Sequence, residues 1–334
     1  MKILVTGAAG FIGYHLSKKL LEEGIEVLGI DNLNAYYDIE LKYGRLKELG
    51  VASTQNSTQQ TSTKYPTFSF AKVDIINYPE LDGLVEDFKP NTIIHLAAQA
   101  GVRYSIENPQ EYISANVQGY FNVLELARKH RVEHLIYASS SSIYGNASEV
   151  PFLVESKTDS PISLYAATKK SNELMAHTYA HLHKLSITGL RFFTVYGPYG
   201  RPDMAYFKFA KAITEDKTIH IYNHGDQSRD FTYIDDIVEG LYRIVEKGFI
   251  KKSEVSHNVY NLGRGKPESL MTFVESIENA LGSKAKKEFV PNQPGDVART
   301  WANVSELTKD YGYVPKVDLV SSETLAHVLA TSPG

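Results

Sequence analysis

The chain has no cysteine, one tryptophan and four methionines among its 334 residues. Without cysteine there is no disulfide, no thiolate metal site and no thiol nucleophile. It lacks any run approaching the ~20 apolar residues that span a bilayer. The apolar stretch behind Lys2 is broken by Gly7 before it reaches signal-peptide length. A basic excess is missing too: 39 acidic and 35 basic side chains leave a net charge of -4, with no long basic tract, which argues against a nucleic-acid partner. No repeat is present. The remaining composition, 43% apolar and 22% charged, is that of a soluble protein expected in the cytoplasm. Its length allows one large or two modest domains with a substantial core.

Tyrosine, by contrast, is plentiful, with 22 copies, so a Tyr-x-x-x-Lys spacing carries little information by itself. Two stand out, Tyr43/Lys47 and Tyr165/Lys169. On a helix such a pair shares one face, and a neighbouring ammonium lowers the pKa of a phenol toward the range of a useful base. Only the second pair follows an apolar run, His134-Leu135-Ile136-Tyr137-Ala138, that ends in four serines, 139 to 142.

Near the N-terminus, Ile3 to Thr6 reads as a strand and Phe11 to Glu23 as a helix, separated by the G-x-x-G-x-x-G loop Gly7-Ala8-Ala9-Gly10-Phe11-Ile12-Gly13. Such a loop lets backbone approach a pyrophosphate at a helix N-terminus. A second apolar run ends at Asp31, about twenty residues on, where a dinucleotide fold places the carboxylate that accepts from a ribose 2'-hydroxyl and repels a 2'-phosphate. The expected cofactor is therefore NAD. Further apolar runs at 68–73, 92–96, 134–138 and 187–193 alternate with helical patterns, including long ones at 109–130 and 162–184. This predicts an α/β fold, a doubly wound parallel sheet of Rossmann type, with ligands at the carboxyl ends of the strands. Residues 1–190 form that domain, segments near 230–262 return to it, and 191–334 build mainly a smaller α/β C-terminal substrate domain. The small, polar stretch 51–66 reads as a mobile surface insertion. His177, His181 and His183 share one helix, but no glutamate completes a zinc motif and a solvated face is the better reading, so no metal is expected.

Taken together, the glycine loop, Asp31-Asn32, Ser139-Ser140-Ser141-Ser142-Ile143-Tyr144-Gly145, Tyr165-Ala166-Ala167-Thr168-Lys169 and Arg229-Asp230-Phe231-Thr232-Tyr233-Ile234-Asp235-Asp236 resemble the extended short-chain dehydrogenase/reductase family over essentially the whole chain. The resemblance implies a nucleotide-sugar enzyme. Sugar dehydratases and decarboxylases of that family carry acidic residues where Ser141 and Ser142 stand, so what remains is oxidation and re-reduction at one carbon, an epimerisation. The segments 98–109 and 193–205 look most like UDP-glucuronate 4-epimerases, which interconvert UDP-glucuronate and UDP-galacturonate. The alternatives are a UDP-glucose/UDP-galactose 4-epimerase and a non-catalytic NAD-binding regulator.

Site residues follow from the same resemblance. Tyr165, Lys169 and Ser140 would be catalytic, with Ser141 and Ser142 beside them. Gly7, Gly10, Phe11, Ile12, Gly13, Asp31, Asn32, Asp74, Ile75, Leu96, Ala97, Ala98 and Asn116 would hold NAD together with Tyr165 and Lys169. Substrate would meet Ser140, Arg103, Thr194 and Arg201, the last two at a C6 carboxylate, with Gln227, Arg229, Asp296 and Arg299 at or near the diphosphate. Family members usually pair through two long helices, which implies a homodimer.

Overall fold

The computed structural model describes residues 1–52, 59–147, 149–291, 297 and 299–318. Its strands run in chain order as β1 (Lys2–Thr6), β2 (Glu26–Asp31), β3 (Gln59–Thr61), β4 (Phe68–Lys72), β5 (Thr92–His95), β6 (His134–Ser140), β7 (Ile187–Phe192), β8 (Thr194–Tyr196), β9 (Thr218–Ile221), β10 (Ser228–Arg229), β11 (Phe231–Tyr233) and β12 (His257–Leu262). Near-continuous apolar sequence in β1, β2, β5 and β7 suits strands covered on both faces. The main sheet has the order β12-β7-β6-β5-β1-β2-β4-β3, parallel throughout except for β3 against β4. The chain winds outward from β1 through β2 to β4, then returns to place β5 on the other side of β1. That reversal opens a crevice beyond the carboxyl ends of β1 and β5.

One face of the sheet is covered by the Phe11–Glu22 and Ile234–Lys247 helices, whose Leu16, Leu20, Ile237, Leu241 and Ile244 share a core. Each such buried side chain stabilises the fold by roughly 1.5–3 kcal/mol. The other face carries Val123, Leu124, Ala127, Ala176 and Ala180 from the helices Tyr120–Lys129 and Leu164–His183. Ser163 caps the latter helix by accepting from Ala166 N at 3.1 Å, which fixes where Tyr165 leaves the first turn.

A smaller lobe packs the helices Ala205–Thr214 and Leu270–Leu281 around Tyr206, Phe231 and Phe273. It also holds β13 (Glu268–Ser269), β14 (Lys286–Phe289) and β15 (Arg299–Thr300). The Ile234–Lys247 helix and β12 pack into the large core, and Leu307, Tyr311 and Tyr313, from beyond the returning segment, join it too.

The expected 109–130 helix is continuous from Pro109 to Lys129, through Pro109–Tyr112, a π-helical stretch Ile113–Gly119 and Tyr120–Lys129. One expectation is modified. In the 51–66 insertion, residues 53–58 lie outside the described residues, but Gln59–Thr61 pairs with β4 and the next residue, Ser62, is buried. Its hydroxyl donates to Leu49 O at 2.6 Å and accepts from Tyr65 N at 2.8 Å, so composition understated the order that one internal hydroxyl imposes. Among the described residues, no helix is long and apolar enough to cross a membrane.

Candidate active site

At the crevice, Gly7 turns the chain with φ of +72°, and a Cβ there would lie 2.8 Å from Ala97 N. A Cβ on Gly13 would lie 2.1 Å from Gly7 O, so the helix start presses directly on the loop. Asp31, buried at the end of β2, accepts at one oxygen from Leu33 N (2.8 Å) and Lys42 Nζ (3.2 Å). Asn32 donates to Asp74 at 2.9 Å, tying together the ends of β2 and β4. Gly10, Phe11, Ile12, Ile75, Leu96, Ala97 and Ala98 line the same wall. A glycine cradle with no room for side chains and a carboxylate one strand away fit an adenine dinucleotide. Asn116 is the exception. It is buried within the π-helical stretch, bonded to both backbone groups of Gln99 and to Thr168 Oγ1, so it fixes the loop after β5 and does not face the cleft.

Deeper in, β6 delivers Ser140 and the Leu164–His183 helix delivers Tyr165 to one cavity of about 870 Å³, with Ser141, Ser142 and Lys169 on its wall. Ser139 points away, as strand alternation requires, and donates to Glu173 at 2.7 Å. Ser140 accepts from Ser142 N at 3.2 Å. Burial raises the pKa of Tyr165, while the Ser140 hydrogen bond and the Arg201 charge pull it back down. Lys169 is buried, donates to Ala138 O at 2.8 Å, and is depressed by burial to about 8. The Arg201 charge, which spacing did not reveal, thus bears on the phenol as well. The Lys169 ammonium lines the same cavity and is bound to the carbonyl of the strand that carries Ser140.

The opposite wall carries Thr194 on β8, Gln227, Arg229 on β10, and Arg103, whose guanidinium sits 5.4 Å from the Tyr222 ring centre. Arg229 donates to Ser228 O at 3.0 Å and approaches Gln227 Oε1 at 3.4 Å. Arg201 grips Asp203 with two donors, Nε at 3.0 Å and Nη2 at 2.5 Å. Arg299 is not on this wall: its largely exposed side chain lies 3.7 Å from Asp226. Asp296 falls outside the described residues. Among the described residues, no three His, Cys, Asp or Glu side chains converge on a metal position. Residues missed from the sequence are Lys42, Tyr36 and Asp203. Tyr36 and Asp203 meet where two loops fold back, and Lys42 reaches Asp31 from the Ile39–Glu48 helix, contacts for which local pattern carries no signal.

A glycine cradle, an acidic strand end and a Ser-Tyr-Lys group facing one crevice define a dinucleotide-dependent enzyme of the short-chain dehydrogenase/reductase type, built to move a proton at a hydroxyl-bearing carbon. The chain belongs to the NAD dependent epimerase/dehydratase family, whose model matches residues 3–263. It is 50% identical over 331 residues to Protein CapI of Staphylococcus aureus, covering 96% of this chain and 95% of that one. It is 45% identical over 332 residues to a probable UDP-glucuronate 4-epimerase of Rhizobium meliloti, covering 96% and 94%. Among solved structures, UDP-glucuronic acid 4-epimerase from Bacillus cereus in complex with UDP-glucuronic acid and NAD superposes with a TM-score of 0.86 at 35% identity, covering 99% and 98%.

Proposed function

We propose that the protein interconverts UDP-glucuronate and UDP-galacturonate by epimerising C4. The observation that carries this reading is the position of Arg201, a cation on the wall of the Tyr165 cavity and close enough to bear on its phenol, with serines rather than carboxylates at 141 and 142. An acidic sugar has a partner there, and no nearby acid–base pair stands at the strand end to divert the reaction into elimination.

The Gly7–Gly13 loop and Asp31 would hold NAD, which supplies reversible hydride acceptance at C4. Tyr165 takes the proton of the 4-hydroxyl as the carbon is oxidised and returns it on reduction. Ser140 donates to the same oxygen and stabilises its developing charge. Lys169 holds the end of β6, where Ser140 stands, through its bond to Ala138. Gln227 and Arg229 face the diphosphate, and Thr194 with Arg201 faces the C6 carboxylate. Between the two half-reactions the 4-keto sugar turns over, presenting its other face.

The working form is a homodimer. Supporting this, Ile113 and Phe121 on one long helical segment and Leu174 and Leu182 on the other are exposed apolar side chains.

The test is product analysis with UDP-glucuronate and, in parallel, UDP-glucose, using wild type and Tyr165→Phe. Wild type should epimerise the uronate in preference to the hexose. The variant keeps the ring and loses the proton acceptor, so its turnover should fall about 10²–10⁴-fold. Preference for UDP-glucose would shift the assignment to a neutral-sugar epimerase. Full activity in Tyr165→Phe would remove the mechanism.

A further inference from the structure

Arg201 is already paired. Asp203 takes its Nε and Nη2 donors, along one side edge of the guanidinium, while Tyr36 donates to the same carboxylate at 3.1 Å. Tyr36 reaches this point from the loop after β2, and its hydroxyl lies 2.8 Å from where a Cβ on Gly101 would be. Gly101 has φ of +106°, a conformation that leaves the space in which Tyr36 and Arg201 meet. The Arg201 plane also lies against Tyr36, 5.9 Å from the ring centre. All four residues line the same cavity.

A guanidinium has two edges able to bind a carboxylate through paired donors. Here one edge is occupied by a carboxylate of the protein itself, and Nη1 is the nitrogen that Asp203 does not engage. The pair is neutral as a unit. A sugar carboxylate arriving from the cavity meets a cation whose charge is already offset and whose orientation is set.

We propose that Asp203, tethered by Tyr36, is a specificity-determining residue: it occupies one edge of Arg201 so that an acidic sugar is held only by the other edge, in one orientation and without excessive affinity. This rests on the uronate reading above. Without Asp203 the arginine would carry uncompensated charge and offer both edges. The acid would bind more tightly but in more than one pose, and the reacting C4 would no longer be placed consistently against Tyr165.

The test compares Asp203→Asn, Tyr36→Phe and Arg201→Ala in the full-length enzyme, with KM and kcat for UDP-glucuronate and the binding constant of UDP-glucose as the neutral probe. Arg201→Ala should raise KM for the uronate. Asp203→Asn should do the opposite, lowering it about two- to fivefold, the range a partly exposed ion pair commands, while kcat drops roughly tenfold or more through misplacement. UDP-glucose binding should be unchanged. Tyr36→Phe, which leaves the ion pair in place, should move both parameters the same way by less, and carries the test should Asp203→Asn fail to fold. A rise in KM for the uronate in Asp203→Asn or Tyr36→Phe, or equal changes for UDP-glucose, would overturn the role of Asp203 while wild-type uronate epimerisation left the function standing. A wild type that ignores UDP-glucuronate would overturn both.

Discussion

The Lys169 ammonium donates to the carbonyl oxygen of Ala138 at 2.8 Å, two residues before Ser140 on the same strand. One buried cation thereby fastens the helix that carries Tyr165 to the strand that carries its partner hydroxyl. Burial disfavours the charge and depresses the lysine to about 8.

That depression predicts a pH-dependent stability with a definite sign. Between the folded value near 8 and the unfolded value near ~10.4, the unfolded chain binds more protons than the folded one, so stability rises with pH across this window. Below it, the charged lysine pays its full desolvation penalty. Lys169→Met removes the penalty and should therefore unfold at a temperature roughly 2 °C or more higher at pH 7, with activity lost. The melting-temperature difference from wild type should shrink as pH is raised from 7 to 10. A difference that stays constant over that range would show that the lysine does not titrate there.

One turn further along the helix, Glu173 receives Arg191 Nε and Nη2, each at 2.9 Å, and the Ser139 hydroxyl at 2.7 Å. Burial pushes the Glu173 carboxyl up, but the Arg191 hydrogen bonds and charge outweigh it and leave it below its ordinary value. Arg191→Met leaves a buried carboxylate uncompensated and should cost about 3–5 kcal/mol in urea denaturation, whereas Arg191→Met with Glu173→Leu should recover most of it. A depressed carboxyl contributes stability above its unfolded pKa that is lost as pH falls through the folded value. Burial without the guanidinium raises the variant's own Glu173 carboxyl, so its deficit should be largest near neutral pH and narrow as pH falls, first as the variant's carboxyl protonates and then, below about pH 4.3, as wild type loses its ion pair. A double variant no more stable than the single one would show that packing, not charge, holds the pair together.

What was legible in the sequence was local. The Gly7–Gly13 loop, Asp31 and the Tyr165–Lys169 turn are defined by spacing along single elements, and the sheet follows from alternation of apolar runs with helical ones. The rest depends on residues far apart meeting. Tyr36 and Asp203 are 167 positions apart, and no period links them. The family resemblance puts Asn116 at the cofactor channel, yet its carboxamide, within the π-helical stretch, is spent on Gln99 and Thr168. Arg299 is close to Arg229 through the pairing of β15 with β10, but strand order alone did not say which way its side chain would leave the strand.

Arg45 joins the two halves of the site without itself lining the cavity. It is fully buried, and its guanidinium donates to Ala9 O in the glycine loop at 2.8 Å, to the Tyr37 hydroxyl at 2.7 Å, and to Tyr199 O through Nε at 3.1 Å and Nη2 at 2.7 Å. Tyr199 lies two residues before Arg201, so a single planar fork sets the glycine loop against the loop that carries Arg201. Lysine keeps the charge but not the fork, and can satisfy one carbonyl only at the expense of the other. Arg45→Lys should therefore lose bound NAD on dialysis, seen as a lower 260/280 nm absorbance ratio, and raise KM for UDP-glucuronate by roughly tenfold, with UDP-glucose binding less affected. A general loss of folding would weaken both nucleotides alike. If Arg45→Lys melts at a lower temperature but retains its NAD and its wild-type KM, the fork supports the Ile39–Glu48 helix that carries it and does not couple the loops.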